Sequence, residues 1–251
     1  MKTFKVLLLG IIAIAMCAIM VLLIKGDIKM SSFTRKSELI FNKEYTLDEI
    51  KEITINTQST DIYIEESKTD MFEIKIYDLK KNKIDVNNEN GNLNIEQTKS
   101  SVCIGICVGS NKIIIKTPKA YIGKFNIKSR SSDITSKLKS ENDYEIDLTS
   151  GDIDILNAKS IVGKTTSGDL EIRSLSSYIK FKATSGDIEI DHFDVNKNSS
   201  IETTSGDVEI DELTNAYVYA KAKSGDIKVN SDRYAKYELN IKVTSGDINV
   251  N

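Results

Sequence analysis

At 251 residues and 40% hydrophobic side chains, the chain can hold one or two domains and bury a core, which excludes a disordered polypeptide. Its 34 basic and 37 acidic residues leave a formal charge of -3, so no global field draws in DNA or RNA, and nucleic acid is excluded as a partner. Trp is absent and Pro occurs once, at Pro118, which suits many strands with uninterrupted ladders.

From Val6 to Ile24 nineteen consecutive residues carry no charge, and a helix of that length spans roughly the 30 Å core of a bilayer. The stretch is longer than the apolar region of a signal peptide and no A-x-A site ends it. Met16 stands where a lipoprotein with Cys17 at its lipid site would need a small residue. The expected organisation is a cytoplasmic tail (1–5), a transmembrane anchor (6–24), a polar stalk (25–45) and a β-strand-repeat domain (46–251). Lys2 and Lys5 precede the anchor while Lys25, Lys29, Arg35 and Lys36 follow it, a count that by itself would hold the domain inside. Long downstream domains translocate largely regardless of charge, so the expectation is a single-pass protein of the cell membrane with its large domain on the extracellular side.

From about Leu47 the pattern has period two: Ile53 and Ile55, Ile62 and Ile64, then Phe72, Ile74 and Ile76 alternate with polar residues, as in half-buried strands. An internal repeat follows. Thr-Ser-Gly-Asp and an aliphatic residue recur around Gly151, Gly168, Gly186, Gly206 and Gly246, and Gly225 has Lys223 in place of Thr; the spacings are 17, 18, 20, 19 and 21 residues. Ser131 to Ile134 form an earlier, degenerate copy, and Thr60-Asp61 and Gly91-Asn92 are taken as still weaker turns. Aliphatic residues occupy fixed columns before and after each glycine, so each unit is two short strands with one buried face apiece. Glycine supplies a positive φ at the turn without steric cost, and Ser and Asp can bond the turn's amides.

Two all-β arrangements satisfy the columns. In a single-stranded β-solenoid of about 17–21 residues per coil, like residues stack on like residues. In an up-and-down hairpin meander, Lys182 would face Glu189 across a two-residue turn. The solenoid explains the near-identical turns and the variable far-side connections, and is the fold expected. The last repeat ends at Val250-Asn251 without a capping element, so the edge of that final coil is expected to be open, and the domain to pair end to end or to dock a partner there.

The Ser-Gly-Asp-aliphatic turns, the Ile113 to Pro118 stretch and the opening Leu47-Asp48-Glu49-Ile50-Lys51-Glu52-Ile53 resemble the bacterial putative-adhesin family of β-strand-repeat domains, over roughly residues 46 to 251. The resemblance implies a fold similar to single-stranded β-helices, no catalytic residues, and kinship with surface proteins linked to cell-envelope stress.

Candidate chemistry is sparse. His192 is the only histidine, expected beside Phe193 in a connecting loop. Cys103 and Cys107 flank Ile104-Gly105-Ile106, where a glycine-centred hairpin could join them as a disulfide, or both could be buried thiols. Asp152, Asp169, Asp187, Asp207, Asp226 and Asp247 would line one edge of a solenoid and are candidate calcium ligands. The alternative is that each bonds its own turn while Lys164, Lys182, Lys221 and Lys242 neutralise the remainder. The expected function is therefore a membrane-anchored, non-catalytic surface-binding or adhesin-like module without cofactor, its partner a cell-wall polymer or an envelope protein. Alternatives are an envelope stress sensor or scaffold acting through a membrane partner, and a polysaccharide-acting β-helix enzyme, against which the scattered Arg35, Arg130, Arg173 and Arg233 count.

Overall fold

Strict apolar-polar alternation puts every second side chain on one face of a strand, and burying that face requires another strand of the same pattern above or below it. The computed structural model describes residues 34–78, 84–97, 106–108 and 111–251, and shows how the chain meets this requirement. The expected anchor, Val6–Ile24, lies outside these residues; among them no helix is long and apolar enough to cross a membrane.

The first elements are β1 (Thr34–Lys36), β2 (Glu38–Thr46), a 3-10 turn (Leu47–Glu49), β3 (Glu52–Thr57), β4 (Asp61–Glu66), β5 (Met71–Asp78), β6 (Ile84–Glu89), β7 (Asn92–Gln97), β8 (Ile106–Val108) and β9 (Lys112–Thr117). The repeats follow as β10 (Lys124–Ser131), β11 (Ile134–Ser136), β12 (Asn142–Ser150), β13 (Ile153–Ser167), β14 (Leu170–Ser185), β15 (Ile188–Asp194), β16 (Ser199–Ser205), β17 (Val208–Thr214), β18 (Ala216–Ser224), β19 (Ile227–Val229), β20 (Tyr237–Ser245) and β21 (Ile248–Val250).

Each coil is a first strand, the Ser-Gly-Asp turn and a second strand. Both halves stack in parallel on the same halves of neighbouring coils: Ile153 on Leu170, Leu170 on Ile188, Ile188 on Val208 and Val208 on Ile248. These five side chains are at most 1% exposed. Burying one aliphatic side chain of this size contributes about 1.5–3 kcal/mol, and the column repeats that gain in every coil. The fold is thus all-β and solenoid-like, as expected. Lys182 lies in register with Glu202 of the neighbouring coil rather than with Glu189 across its own turn, which removes the meander.

Four details depart from the sequence reading. Eight residues of the expected stalk, Glu38 to Tyr45, belong to β2, which pairs antiparallel with β5; Tyr45 is buried there. Asn90 and Gly91 are not a coil turn: both have positive φ and form the two-residue loop of the β6–β7 hairpin, the pairing that an Asn-Gly loop favours. His192 lies within β15, in register with Ser174 and Glu212, not in a loop.

The fourth departure is the coil order. Along the first-strand sheet the order runs β7, β3, β10, β12, β13, β14, β16, β20, β18, so the last chain coil, β20–β21, sits between β16–β17 and β18–β19. The end of the stack is therefore the Gly225 coil, and the edge expected at Val250-Asn251 is covered. The opposite end is finished by antiparallel strands instead of a coil: β5 on β9, β2 on β5, and β6 on β7.

The glycines set the coil spacing. Gly186 has φ +126°, and a Cβ built on it would lie 2.1 Å from the carbonyl oxygen of Gly168 in the adjacent coil. Gly186→Ala is expected to cost about 2–4 kcal/mol, from backbone strain plus a forced opening of the turn stack. For a domain of this size that lowers the thermal midpoint by roughly 5–15 °C, measurable by calorimetry, while Ser185→Ala in the same exposed turn stays within about 0.5 kcal/mol of wild type.

Candidate functional site

Parallel in-register stacking turns every repeat position into a ladder running along the molecule. At the turn, the amide of each aspartate donates to Oδ1 of the aspartate in the preceding coil of the stack. Asp152 donates to Asp133 (3.1 Å), Asp169 to Asp152 (3.0 Å), Asp187 to Asp169 (2.9 Å), Asp207 to Asp187 (2.8 Å), Asp247 to Asp207 (2.7 Å) and Asp226 to Asp247 (2.8 Å). The bonds thus run between coils rather than within a turn, and one carboxylate oxygen of each of these acceptors is committed to the fold. The aspartates named as calcium candidates stand one per coil, and among the described residues no group of three or more His, Cys, Asp and Glu side chains could hold a metal ion. The side chains of Cys103 and Cys107 lie outside the described residues; the backbone of Cys107 is in β8, opposite Arg35 of β1.

On the outer face of the first strands, four residues before the turn glycine, runs a second ladder: Asp147, Lys164, Lys182, Glu202, Lys242 and Lys221. These lysines, expected as the alternative to calcium to neutralise the remaining charge of the acidic columns, stand across the turn from the aspartates and pair within their own ladder instead, Lys164 with Asp147 at 3.4 Å and Lys182 with Glu202 at 2.7 Å. Lys242 also reaches Glu202, at 4.0 Å. The Lys182 ammonium beside Glu202 holds that carboxyl below its ordinary value.

Next to the lysines stands an exposed hydroxyl ladder, Thr166, Thr184, Thr204 and Thr244, continued by Lys223 in the end coil. Together they line an open groove of about 600 Å³ containing Lys164, Lys182, Lys221, Lys223 and Lys242 against one carboxylate, Glu202. At about 4.8 Å per coil, the four steps from Lys164 to Lys221 cover roughly 19 Å. Lys164, Lys182 and Lys242 keep 64%, 61% and 53% of their side chains exposed, so their stems lie on the sheet and their charges remain open to a ligand.

The second strands carry the opposite sign. Asp154, Glu171, Glu189 and Glu209 are stacked in register, with Asp191 and Asp211 in the neighbouring column. Arg173 bonds Asp191 at 3.0 Å and Glu171 at 3.4 Å, and His192 Nδ1 lies 2.8 Å from Glu212. Glu189 is the most crowded: partial burial first, then the charges of Glu171, Asp191, Glu209 and Asp211, raise its carboxyl above the ordinary value. The first-strand face is thus cationic with hydroxyls and the second-strand face anionic. The lysine column was visible in the repeat alignment, whereas the groove needed the curvature of the stacked sheet.

Residues 50–251 match the family described as Toastrack DUF4097. No curated protein matches the chain. Among solved structures it is similar to a putative cell adhesion protein from Clostridium sporogenes ATCC 15579, with 13% identity, 85% of this chain and 98% of that chain covered, and a TM-score of 0.39. It is similar to a putative adhesin from Parabacteroides distasonis ATCC 8503, at 14% identity, 86% and 100% coverage and a TM-score of 0.42. A putative lipid binding protein from the same organism matches at 14% identity, 87% and 99% coverage and a TM-score of 0.42.

The acidic ladder supplies a pH test. Because the folded-state carboxyl of Glu189 lies above its ordinary value of 4.5, the unfolded chain loses this proton first as pH rises, and ionisation of Glu189 lowers stability above that range. Glu189→Gln is expected to raise stability at neutral pH by about 0.2–1 kcal/mol, the scale of a like-charge cross-strand pair. The gain disappears below about pH 4, where both forms are neutral, and thermal melts across pH read the difference.

Proposed function

The chain belongs to the Toastrack DUF4097 family, and from that premise we propose that it is a membrane-anchored, non-catalytic binding module displayed on the outer side of the cell membrane, holding an anionic surface polymer along its lysine–threonine groove. The observation that carries this reading is the groove itself: five lysines and a row of hydroxyls line one open surface with a single carboxylate among them. The uncharged stretch Val6–Ile24 supports the anchor.

The periodicity argues for a polymer over a small anion. One exposed lysine–anion contact is worth about 0–1 kcal/mol, too little to hold a single phosphate or carboxylate. A chain that carries its charges in series makes the second and later contacts intramolecular, so weak contacts add. Hydroxyls beside the lysines can donate to the same oxyanions. A cationic face backed by an anionic one also favours one side of the sheet for a negatively charged ligand.

Two measurements check the proposal. The full-length chain in detergent micelles is expected to bind long-chain inorganic polyphosphate at low ionic strength. Affinity should fall at least tenfold at about 1 M salt, where the screening length is ~3 Å. A K164Q/K182Q/K242Q variant loses at least tenfold in affinity with little change in thermal midpoint, because these are exposed charges. Binding that the triple variant leaves intact would overturn the groove. In intact cells, protease added outside should cut the domain, read with an antibody to the C-terminal repeat; protection until the membrane is opened would overturn the outward display.

A further inference from the structure

We infer that the open end coil, β18–β19, is a homophilic contact through which two copies of this chain meet end to end, joining molecules anchored in facing membranes. The pairing rests on the geometry of the end coil alone; the bridging of membranes rests in addition on the anchor reading above.

In coils flanked on both sides, the two aliphatic residues after the turn are sealed: Ile188, Ile190, Val208, Ile210, Ile248 and Val250 are at most 1% exposed. Their equivalents in the end coil, Ile227 and Val229, are 45% and 38% exposed, since among the described residues β19 pairs with β21 alone. Among the same residues β18 pairs with β20 alone, and Tyr217 and Tyr219 on its outer face are 42% and 51% exposed. An unpaired strand edge beside exposed aliphatic residues is a template for another chain.

The occupant follows from the two ends of the stack and from the charges on β18. At the opposite end β2 and β6 are also outermost, with one neighbour each among the described residues, and Leu39 and Ile40 of β2 are 48% and 38% exposed; both strands run antiparallel to the strand they pair, so that end does not present the parallel two-strand coil that head-to-tail growth would continue. The surface that β18–β19 can cover on another copy is β18–β19, an isologous contact that closes at two chains.

Across such a two-fold axis β18 pairs antiparallel with itself. Centring on Ala220 sets Tyr219 opposite the partner's Lys221 and Tyr217 opposite the partner's Lys223, with Val218 opposite the partner's Ala222. Every lysine of the strand then meets an aromatic ring, a pairing of cation and π face, and no lysine faces a lysine. Moving the centre by one residue to Lys221 places like charges opposite each other. Among the described residues one side chain bonds this edge, Ser231, whose Oγ accepts the Val218 amide at 3.3 Å; pairing exchanges that long bond for the partner's Ala222 carbonyl.

The strands nearest the expected anchor, β1 and β2, precede the repeats, and β2 lies at the end of the stack opposite β18–β19. A two-fold contact at the open end therefore directs the two anchors away from each other, the arrangement that links facing surfaces.

The test uses the full-length chain and no polymer, which keeps it apart from the groove. In detergent micelles, light scattering is expected to find a dimer at micromolar concentration. A Y217K/Y219K variant, which sets lysine opposite lysine on an already exposed face, should shift the dimer–monomer midpoint at least tenfold towards monomer while keeping the wild-type thermal midpoint. Vesicles carrying the wild-type chain should cluster, and vesicles carrying the variant should not. A monomeric wild type, or a dimer that the variant leaves unchanged, overturns the contact; a dimer whose vesicles stay dispersed overturns the bridging. Loss of polyphosphate binding in the groove variant with the dimer intact would show the two surfaces to be independent.

Discussion

The structure depends on how closely one turn can approach the next. Gly168, Gly186 and Gly206 each stand where a Cβ would lie 2.0–2.1 Å from the carbonyl oxygen of the glycine in the adjacent coil. No side chain fits in that gap, so the repeat spacing is set by backbone on backbone. Three bonds then tie each turn to its neighbours: Gly186 donates to the Ser205 carbonyl at 3.1 Å, Ile188 to the Asp207 carbonyl at 2.9 Å, and Asp187 to the Asp169 carboxylate at 2.9 Å. With these in place the aliphatic columns fall into register without further specification, because a one-residue slip would turn every buried isoleucine to solvent.

Register has a consequence for charge. Stacking like on like would pile identical charges about 4.8 Å apart, and the sequence handles this differently on its two faces. On the first strands, Glu202 interrupts the lysine ladder between Lys182 and Lys242 and bonds both. On the second strands, relief comes from the side through Arg173, and Glu189 is left among four carboxylates. With four lysines against two carboxylates, the ladder avoids unbroken like-charge stacking yet stays net positive beside its hydroxyls, which suits it to an anionic ligand. A crowded acidic ladder repels the same ligand and so fixes which face it can use.

The coil could be read from the glycine spacing, since φ > 0, the aliphatic residues at +2 and +4 and the inward columns before the turn all point to one two-strand unit. The order of the coils could not. Every copy carries the same columns, so any copy fits beside any other, and the usual adjacency of consecutive units puts the last copy at the end. A weak signal was present: the Gly225 copy has the small inward residues Ala220 and Ala222, Lys223 in place of Thr, and a seven-residue link to β20, from Asn230 to Lys236. The copy with the least apolar volume has the least to lose at an exposed end. The lysine ladder was legible as a column but was assigned the wrong partners, because alignment shows spacing along the chain and not which side of the turn a residue faces.

The out-of-order placement occurs at both ends of the stack and has one physical effect. β3–β4 lies between β7–β9 and β10–β11, and β20–β21 between β16–β17 and β18–β19. The coil formed last in the sequence is thus clamped on both sides, and detaching it means breaking two interfaces instead of one. In a solenoid, where stability is a sum of unit and neighbour terms, end units are the ones that fray. Here the end position passes to an internal segment, tethered at both ends by the chain before β18 and after β19. That tether holds the outermost strand in place while leaving its edge exposed.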